Sequence, residues 1–381
     1  GSRLRWSRRG IARVMLQPNI GSSSRLRPRV TVEALQPCCA LTCRPPWQRY
    51  ALLGQSERMR IAKLVDAALE FPVVTSFTRL GHDVRSRAGG WEPLSSMRMD
   101  HSVVVVTGAT SGLGLEAARE FVSLGATVVL LGRDAKKTEA VRAALARDVG
   151  AGRVQSVVAD MGDLVQVRAA ARELVRRFPR IDVLVHNAGA LTAARHESPQ
   201  GIEQTVASQV VGPFLLTSLL LPCLRVAAPG RVITVSSGGM YASPLRVEHL
   251  QMAGDYNGTE QYARAKRAQV TLNEMWAERV RTTEVVFHAM HPGWADTPGV
   301  EQSLPTFRKV VGPLLRSPAQ GADTIVWLAA AAEPVRSSGG FWLDRRRRSI
   351  HKLPRTRRSD TALRRQALWS DIEGLAAEEA S

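Results

Sequence analysis

Cysteine is scarce in this chain: there are four in 381 residues. Three of them, Cys38, Cys39 and Cys43, crowd near one end, leaving Cys223 alone in the remainder. That excludes a disulfide scaffold and suits a reducing compartment, so a cytoplasmic location is expected. The cluster lacks a second ligand pair at zinc spacing, and no metal site is expected. No window holds the roughly 18 uninterrupted apolar residues of a membrane-spanning helix. The longest apolar run, 210–224, is shorter and carries two prolines. Acidic residues are outnumbered, 34 against 52 basic, for a net charge of +18. With 44% hydrophobic residues and 30 glycines, the composition is that of a globular protein, neither fibrous nor disordered throughout.

The basic excess sits at the ends. Residues 1–58 hold 11 Arg, no Lys and 2 Glu, whereas 59–344 carry a net charge of only +4. Pro18, Pro28, Pro37, Pro45 and Pro46 interrupt any helix in the first segment. Three readings of it stay open: a non-native leader ahead of Met59, a mitochondrial transit peptide, or an arm drawn to nucleic acid or membrane. Within 59–101 an amphipathic helix is expected, with Ile61, Leu64, Val65 and Ala68 on its apolar face, either docked on the domain or lying on a membrane surface. The run 345–381, opening on four arginines, reads as a basic, solvated tail. Its one aromatic, Trp369, makes base stacking a poor prospect, so no specific nucleic-acid partner is expected.

Between the ends, short β-branched runs alternate with helical stretches. Strands are expected at 103–106, 127–131, 154–158, 183–185, 232–235 and 285–289. Strand–helix repeats of this kind imply an α/β fold, a doubly wound parallel sheet of the Rossmann-like type, over 102–344 as a single catalytic domain with extensions at both ends. The first strand runs into Gly108, Thr110, Ser111, Gly112, Leu113 and Gly114, with glycines spaced Gly-x-x-x-Gly-x-Gly at the start of a helix. Glycines there let backbone approach a pyrophosphate at the positive helix N-terminus.

This loop resembles the cofactor loop of the short-chain dehydrogenase/reductase family, and further signatures follow in order. Asp160 and Met161 end the third strand, where the resemblance implies contact with adenine. His186, Asn187, Ala188 and Gly189 stand where the family has Asn-Asn-Ala-Gly. Ser237 closes the fifth strand; Tyr262 and Lys266 form Tyr-x-x-x-Lys; Pro292, Gly293 and Thr297 lie in a segment like the one that holds the nicotinamide carboxamide. Stretches 232–240 and 290–300 further resemble the dehydrogenase/reductase member 12 group of that family.

Carbonyl reduction needs a placed hydride, a proton for the oxygen and stabilisation of the charge that develops on it. Tyr262 and Lys266, four apart, emerge on one helix face, and a neighbouring ammonium favours the phenolate. Tyr241 and Tyr256 lack a lysine four residues on. The resemblance implies that Tyr262 acts as general acid or base, that Ser237 holds the substrate oxygen, and that Lys266 also holds ribose hydroxyls. Ser236 stays an alternative to Ser237. Gln209 stands where the family commonly has a water-positioning Asn, which leaves open a nucleotide-binding sensor or scaffold with little turnover. The interval from Ser237 to Tyr262 exceeds the family's usual one, and its extra residues near 241–258 are expected at the substrate rim. At the end of the second strand Arg133 replaces the acid that would select a 2′-hydroxyl, so NADP(H) is expected over NAD(H); Asp134 next to it keeps NAD(H) open. Trp294, Phe307 and Met240 hint at a lipophilic carbonyl or alcohol substrate. The apolar fourth helix, 206–220, suggests a homodimer or homotetramer.

Overall fold

The computed structural model describes residues 55–70, 73–147, 149–303 and 305–377. The leader readings for 1–54 and the Cys38, Cys39 and Cys43 cluster lie outside the described residues. Contacts divide the chain into two units, Gly1–Ile61 and Ala62–Ser381. The described part of the first is residues 55–61, the opening of a helix, α1 (Gln55–Glu70).

Eight strands form one sheet: β1 (Val103–Thr107), β2 (Thr127–Gly132), β3 (Val154–Val158), β4 (Val183–His186), β5 (Gly230–Val235), β6 (Val285–Met290), β7 (Gly340–Leu343) and β8 (Arg346–Arg348). Their order is β3-β2-β1-β4-β5-β6-β7-β8. Pairing is parallel from β3 through β7, and only β7–β8 is antiparallel. The two-residue period of the strands sends Val105, Val129, Leu131 and Leu184 into the core on one face. Val104, Val106, Val128 and Leu130 enter the core on the other. The direction in which successive strands are added reverses between β1 and β4, and ligands of such sheets bind at the strand ends beside that switch.

After Glu70 come two short helices, α2 (Val73–Phe77) and α3 (Arg79–Gly89). Within the domain, α4 (Gly112–Ser123), α5 (Ala135–Ala146), α6 (Leu164–Arg177), α7 (Gln204–Ala227) and α8 (Gly258–Arg279) follow strands as expected. α7 is long and apolar enough to cross a membrane by length and composition, yet most of it is buried inside the protein.

Three expectations are corrected. The expected apolar face of α1 is not the docked one: Leu64 is 72% exposed, whereas Ala62 and Asp66 are buried. Ion pairs of Asp66 with Arg85 (2.7 Å) and Arg348 (2.6 Å) decide the orientation. Burial would raise the Asp66 carboxyl, but Arg348 and Arg85 outweigh it and hold it at about 2.

Nor are residues 345–377 a solvated tail. Asp344 and Arg345, both at φ 54°, make the tight hairpin turn into β8, and after α9 (Pro298–Ser303), α10 (Pro305–Val311), α11 (Pro318–Ala330) and α12 (Pro354–Ser359) a final helix, α13 (Ala362–Ala377), packs onto α7 and α8. Trp369 stacks edge-on against Phe214 and Trp276, each at 4.9 Å, under the Arg279 guanidinium at 3.9 Å.

Helix α13 therefore covers the α7 face on which a homodimer or homotetramer was expected. Light scattering of the purified chain tests that expectation: two or four times the mass of one copy would support it, and the mass of one copy would overturn it.

Lastly, the 241–258 stretch is not all rim. Leu245, Val247 and Leu250 enter the core, and the Tyr256 hydroxyl donates to buried Glu203 at 3.1 Å.

Candidate active site

The glycine loop is held by side chains from both strands at the switch. Gly108 has φ +65°, and a Cβ there would lie 2.8 Å from Ala188 Cα. Only a residue without a side chain fits both constraints. Asn187 Nδ2 donates to the carbonyls of Thr107 (3.0 Å) and Gly108 (3.1 Å). Thr107 Oγ1 in turn accepts from the backbone N–H of Asn187 and Ala188, both at 3.0 Å. Thr107 went unremarked in the sequence, although its place just before the first glycine is a usable signal. At Gly114 a Cβ would come 2.4 Å from Gly108 O, so the first turn of α4 lies directly on the loop. Gly189 lies as close to Gln209 Oε1, 2.9 Å from an added Cβ.

The loop leaves Gly108, Thr110, Ser111, Gly112 and Leu113 partly accessible at the N-terminus of the 12-residue α4. Bare backbone and a positive helix end fit a pyrophosphate. On the adenosine side, Gly132 packs against Thr110, which brings Arg133 beside the loop. Arg133 is exposed, and among the described residues it has no hydrogen-bond or ion-pair partner. Asp134 is committed elsewhere: its carboxylate accepts from Lys137 N at 2.9 Å, capping α5. Asp160 Oδ1 accepts from Gly162 N at 2.8 Å, and Met161 is buried, its carbonyl pressed against Gly212 in α7. Across the cleft, Thr297 Cβ would stand 3.4 Å from a Cβ at Gly112, so the 292–297 loop reaches over the phosphate cradle.

At the ends of β5 and α8 the expected catalytic groups come together. The Ser237 hydroxyl lies close enough to the Tyr262 phenol to influence its ionisation, and Lys266 Nζ lies 5.2 Å from the centre of the Tyr262 ring. Both Ser237 and Tyr262 are partly accessible. Ser236 is buried and donates to the Lys266 carbonyl at 3.1 Å, tying β5 to α8 and leaving the cleft to Ser237. Ser237 Oγ also accepts from Gly239 N at 3.2 Å.

Electrostatics differ from expectation. Burial raises the Tyr262 phenol above its ordinary value, and the Ser237 hydroxyl only partly opposes it. Burial likewise brings the Lys266 amine down to about 7. Its Nζ donates to Val235 O at 3.0 Å. In this state an ammonium does not draw the phenol downward, because the lysine is close to losing its own charge.

Gln209 sits in a single π-helical turn of α7, residues Ala207–Val211, a distortion frequent at functional sites. Its Nε2 donates to Ala190 O at 2.6 Å, and its own carbonyl accepts from Gln269 Nε2 at 2.6 Å. Gln209 Oε1 is buried without a partner, and the residue also lines a small cavity with His186, Thr217 and Asn273. The extra methylene of Gln thus ties the amide to the loop after Gly189. Gln269 was invisible in the sequence because it pairs with a backbone atom sixty residues away.

Of the apolar residues expected at the substrate rim, Trp294 and Phe307 meet edge-to-face at 5.1 Å, half-buried. Met240 is fully buried with Phe77 and Tyr241, which corrects its assignment to the rim. Among the described residues no group of His, Cys, Asp and Glu is placed to hold a metal ion.

The sequence pattern described as short chain dehydrogenase matches residues 102–306. The chain is 39% identical over 279 residues to human Dehydrogenase/reductase SDR family member 12, covering 72% of this chain and 86% of that one. To human Retinol dehydrogenase 12 it is 31% identical over 280 residues, covering 72% and 86%. Among solved structures, an uncharacterized protein from Mycobacterium paratuberculosis superposes with a TM-score of 0.59 at 26% identity, covering 76% of this chain and 99% of that one. A short chain dehydrogenase from Shigella flexneri 2a complexed with NADP gives 0.53 at 24% identity, covering 65% and 98%, a likeness of fold.

Proposed function

The chain belongs to the short-chain dehydrogenase/reductase family of NAD(P)-dependent oxidoreductases, and from that premise we propose that it interconverts a lipophilic carbonyl compound and its alcohol, with NADP(H) as the preferred dinucleotide. The observation that carries the reading is the meeting of Ser237, Tyr262 and Lys266 at the strand ends beside the glycine loop. A bound nicotinamide would supply the hydride. Gly108 through Gly114 would hold the dinucleotide's pyrophosphate, Asp160 and Met161 its adenine, Asn187 through Gly189 would back the cradle, and Pro292, Gly293 and Thr297 would meet the nicotinamide carboxamide.

Ser237 donates to the substrate oxygen and orients it toward the Tyr262 hydroxyl. Tyr262 delivers its proton to that oxygen as negative charge builds there. A phenol kept above its ordinary value by burial stays protonated through neutral pH, the form reduction requires. Lys266, when charged, stabilises the phenolate left behind. A sensor without turnover would leave this set of side chains without a task. Relatives named as retinol dehydrogenases, together with the Trp294–Phe307 pair, support a lipophilic substrate. A panel of aldehydes and ketones followed by NADPH absorbance tests this: hydrophobic carbonyls are expected to give the higher kcat/KM, and equal turnover of sugars would contradict it.

The dinucleotide preference rests on Arg133 being unengaged while Asp134 caps α5. Arg133→Glu is expected to raise KM for NADPH about ten- to a hundredfold, the worth of a charge-assisted hydrogen bond to phosphate, with NADH affected less than about threefold. Comparable use of NADH by the wild type would contradict it.

The lysine sets the pH profile. Below about 7 Lys266 carries its charge and above it burial favours the neutral amine. At saturating NADPH, kcat/KM for reduction is therefore expected to step down as pH rises through that value. Lys266→Met is expected to be slower and to lack the step; an unchanged step in that variant would assign it to another group.

A further inference from the structure

We propose that Phe77, delivered by the segment ahead of the domain, is a positioning residue for the nicotinamide side of the cleft: it locks the Ser237 turn against the 292–297 loop. This deepens the dinucleotide reading and rests on it. Phe77 lies outside the 102–306 stretch shared with the family, so the common fold does not supply it.

The residue touches both pieces at once. A Cβ at Gly238 would come 2.5 Å from Phe77 Cε2, so the ring abuts the residue following Ser237. The same ring meets His291 at 4.5 Å and Trp294 at 5.8 Å, both edge-to-face. Its carbonyl accepts from Trp294 N at 2.7 Å. Gly293, at φ +73°, lets the loop come this close: a Cβ there would stand 2.6 Å from Phe77 O and 2.4 Å from Arg316 Nε.

Arg316 holds the strap in place. Its guanidinium donates to the carbonyls of Ser76 (3.0 Å), Phe77 (3.0 Å) and Thr78 (3.2 Å), and also to Pro292 O at 3.2 Å. Asp344 accepts from it at 2.6 and 2.9 Å, and from Arg85 on α3 at 2.8 Å. Strap, loop and hairpin turn are thereby one buried, charge-compensated joint. Because Phe77 is 4% exposed, it acts through Gly238 and Trp294 and not by touching substrate.

The test separates the two halves of the dinucleotide. Binding of NADPH and of 2′-phospho-ADP-ribose, which lacks the nicotinamide, is measured by calorimetry on the full chain, the wild type beside Phe77→Ala and Phe77→Leu. The ratio of the two Kd values reports what the nicotinamide side contributes. Phe77→Ala is expected to shrink that ratio at least fivefold, with the Kd of the truncated molecule within twofold of wild type. Phe77→Leu, which keeps an apolar body over Gly238, is expected to recover part of it and still lose about threefold. If the alanine variant does not fold, the leucine variant carries the test alone. An unchanged ratio, or parallel weakening of both ligands, would overturn the positioning role. A wild type that binds neither molecule would overturn the dinucleotide reading, and this proposal with it.

Discussion

Tyr262→Phe is expected to lower kcat for carbonyl reduction by about a hundred- to ten-thousandfold, the range contributed by a positioned proton donor. The Kd of NADPH is expected to stay within about twofold, because the ring remains in place and only the hydroxyl is removed. Stability should fall by no more than about 1 kcal/mol, since at most a single neutral polar contact, with the Ser237 hydroxyl, is lost. The combination matters: lost turnover with retained binding assigns the proton to this phenol. A fall of less than tenfold would assign it elsewhere.

Asp344→Ala is expected to destabilise the protein by about 3–5 kcal/mol, read from the denaturant midpoint. Arg85 and Arg316 have side chains only 1% and 2% exposed, and removing their shared carboxylate leaves the buried Arg316 without its acidic partner, while Arg85 keeps Asp66 at 2.7 Å. Against a typical net stability of about 5–15 kcal/mol the effect is large. Asp344 also holds φ 54° at the β7–β8 turn, a conformation that Asp tolerates and Ala resists. Wild-type protein should show the same dependence on acidification. Burial would raise Asp344, but Arg316 and Arg85 hold it below its ordinary value. Its unfolded form therefore takes up a proton first as pH falls, and the stability present above about pH 4 declines below that point. A change under 1 kcal/mol in the alanine variant would show that the joint is not a determinant of stability.

The parts of the molecule legible in the sequence are those governed by local rules. Six parallel strands announced themselves as β-branched runs, and the glycine spacing after β1 marked the phosphate cradle. Tyr262 and Lys266 were marked by the family resemblance, and helix periodicity only places the two on one face. What escaped is held by partners far away along the chain. Arg85 reaches Asp344 across 259 residues, and Arg348 reaches Asp66 across 282, so no window shows that these charges neutralise one another in the interior. The same blindness turned Arg346–Arg348 into an expected tail: a strand of arginines has no apolar alternation, and only its hairpin turn and its acidic partners make it a sheet edge. In α13 the buried set Leu368, Trp369, Ile372 and Ala376 does carry helical spacing; the surrounding charges hid it. The Lys266 amine could not be judged either, because its ordinary value is displaced by burial, a property of packing and not of spacing.

The most direct test of the central claim follows the hydride and proton together. NADPH deuterated at C4 of the nicotinamide is incubated with the full chain and a hydrophobic aldehyde or ketone found in the panel, and the product is read by NMR. The expected result is deuterium on the carbinol carbon in wild type at one atom per NADPH consumed, with formation of that product abolished or slowed at least a hundredfold in Tyr262→Phe. Loss of NADPH without deuterium in the alcohol, or equal labelling rates in the two proteins, would contradict it.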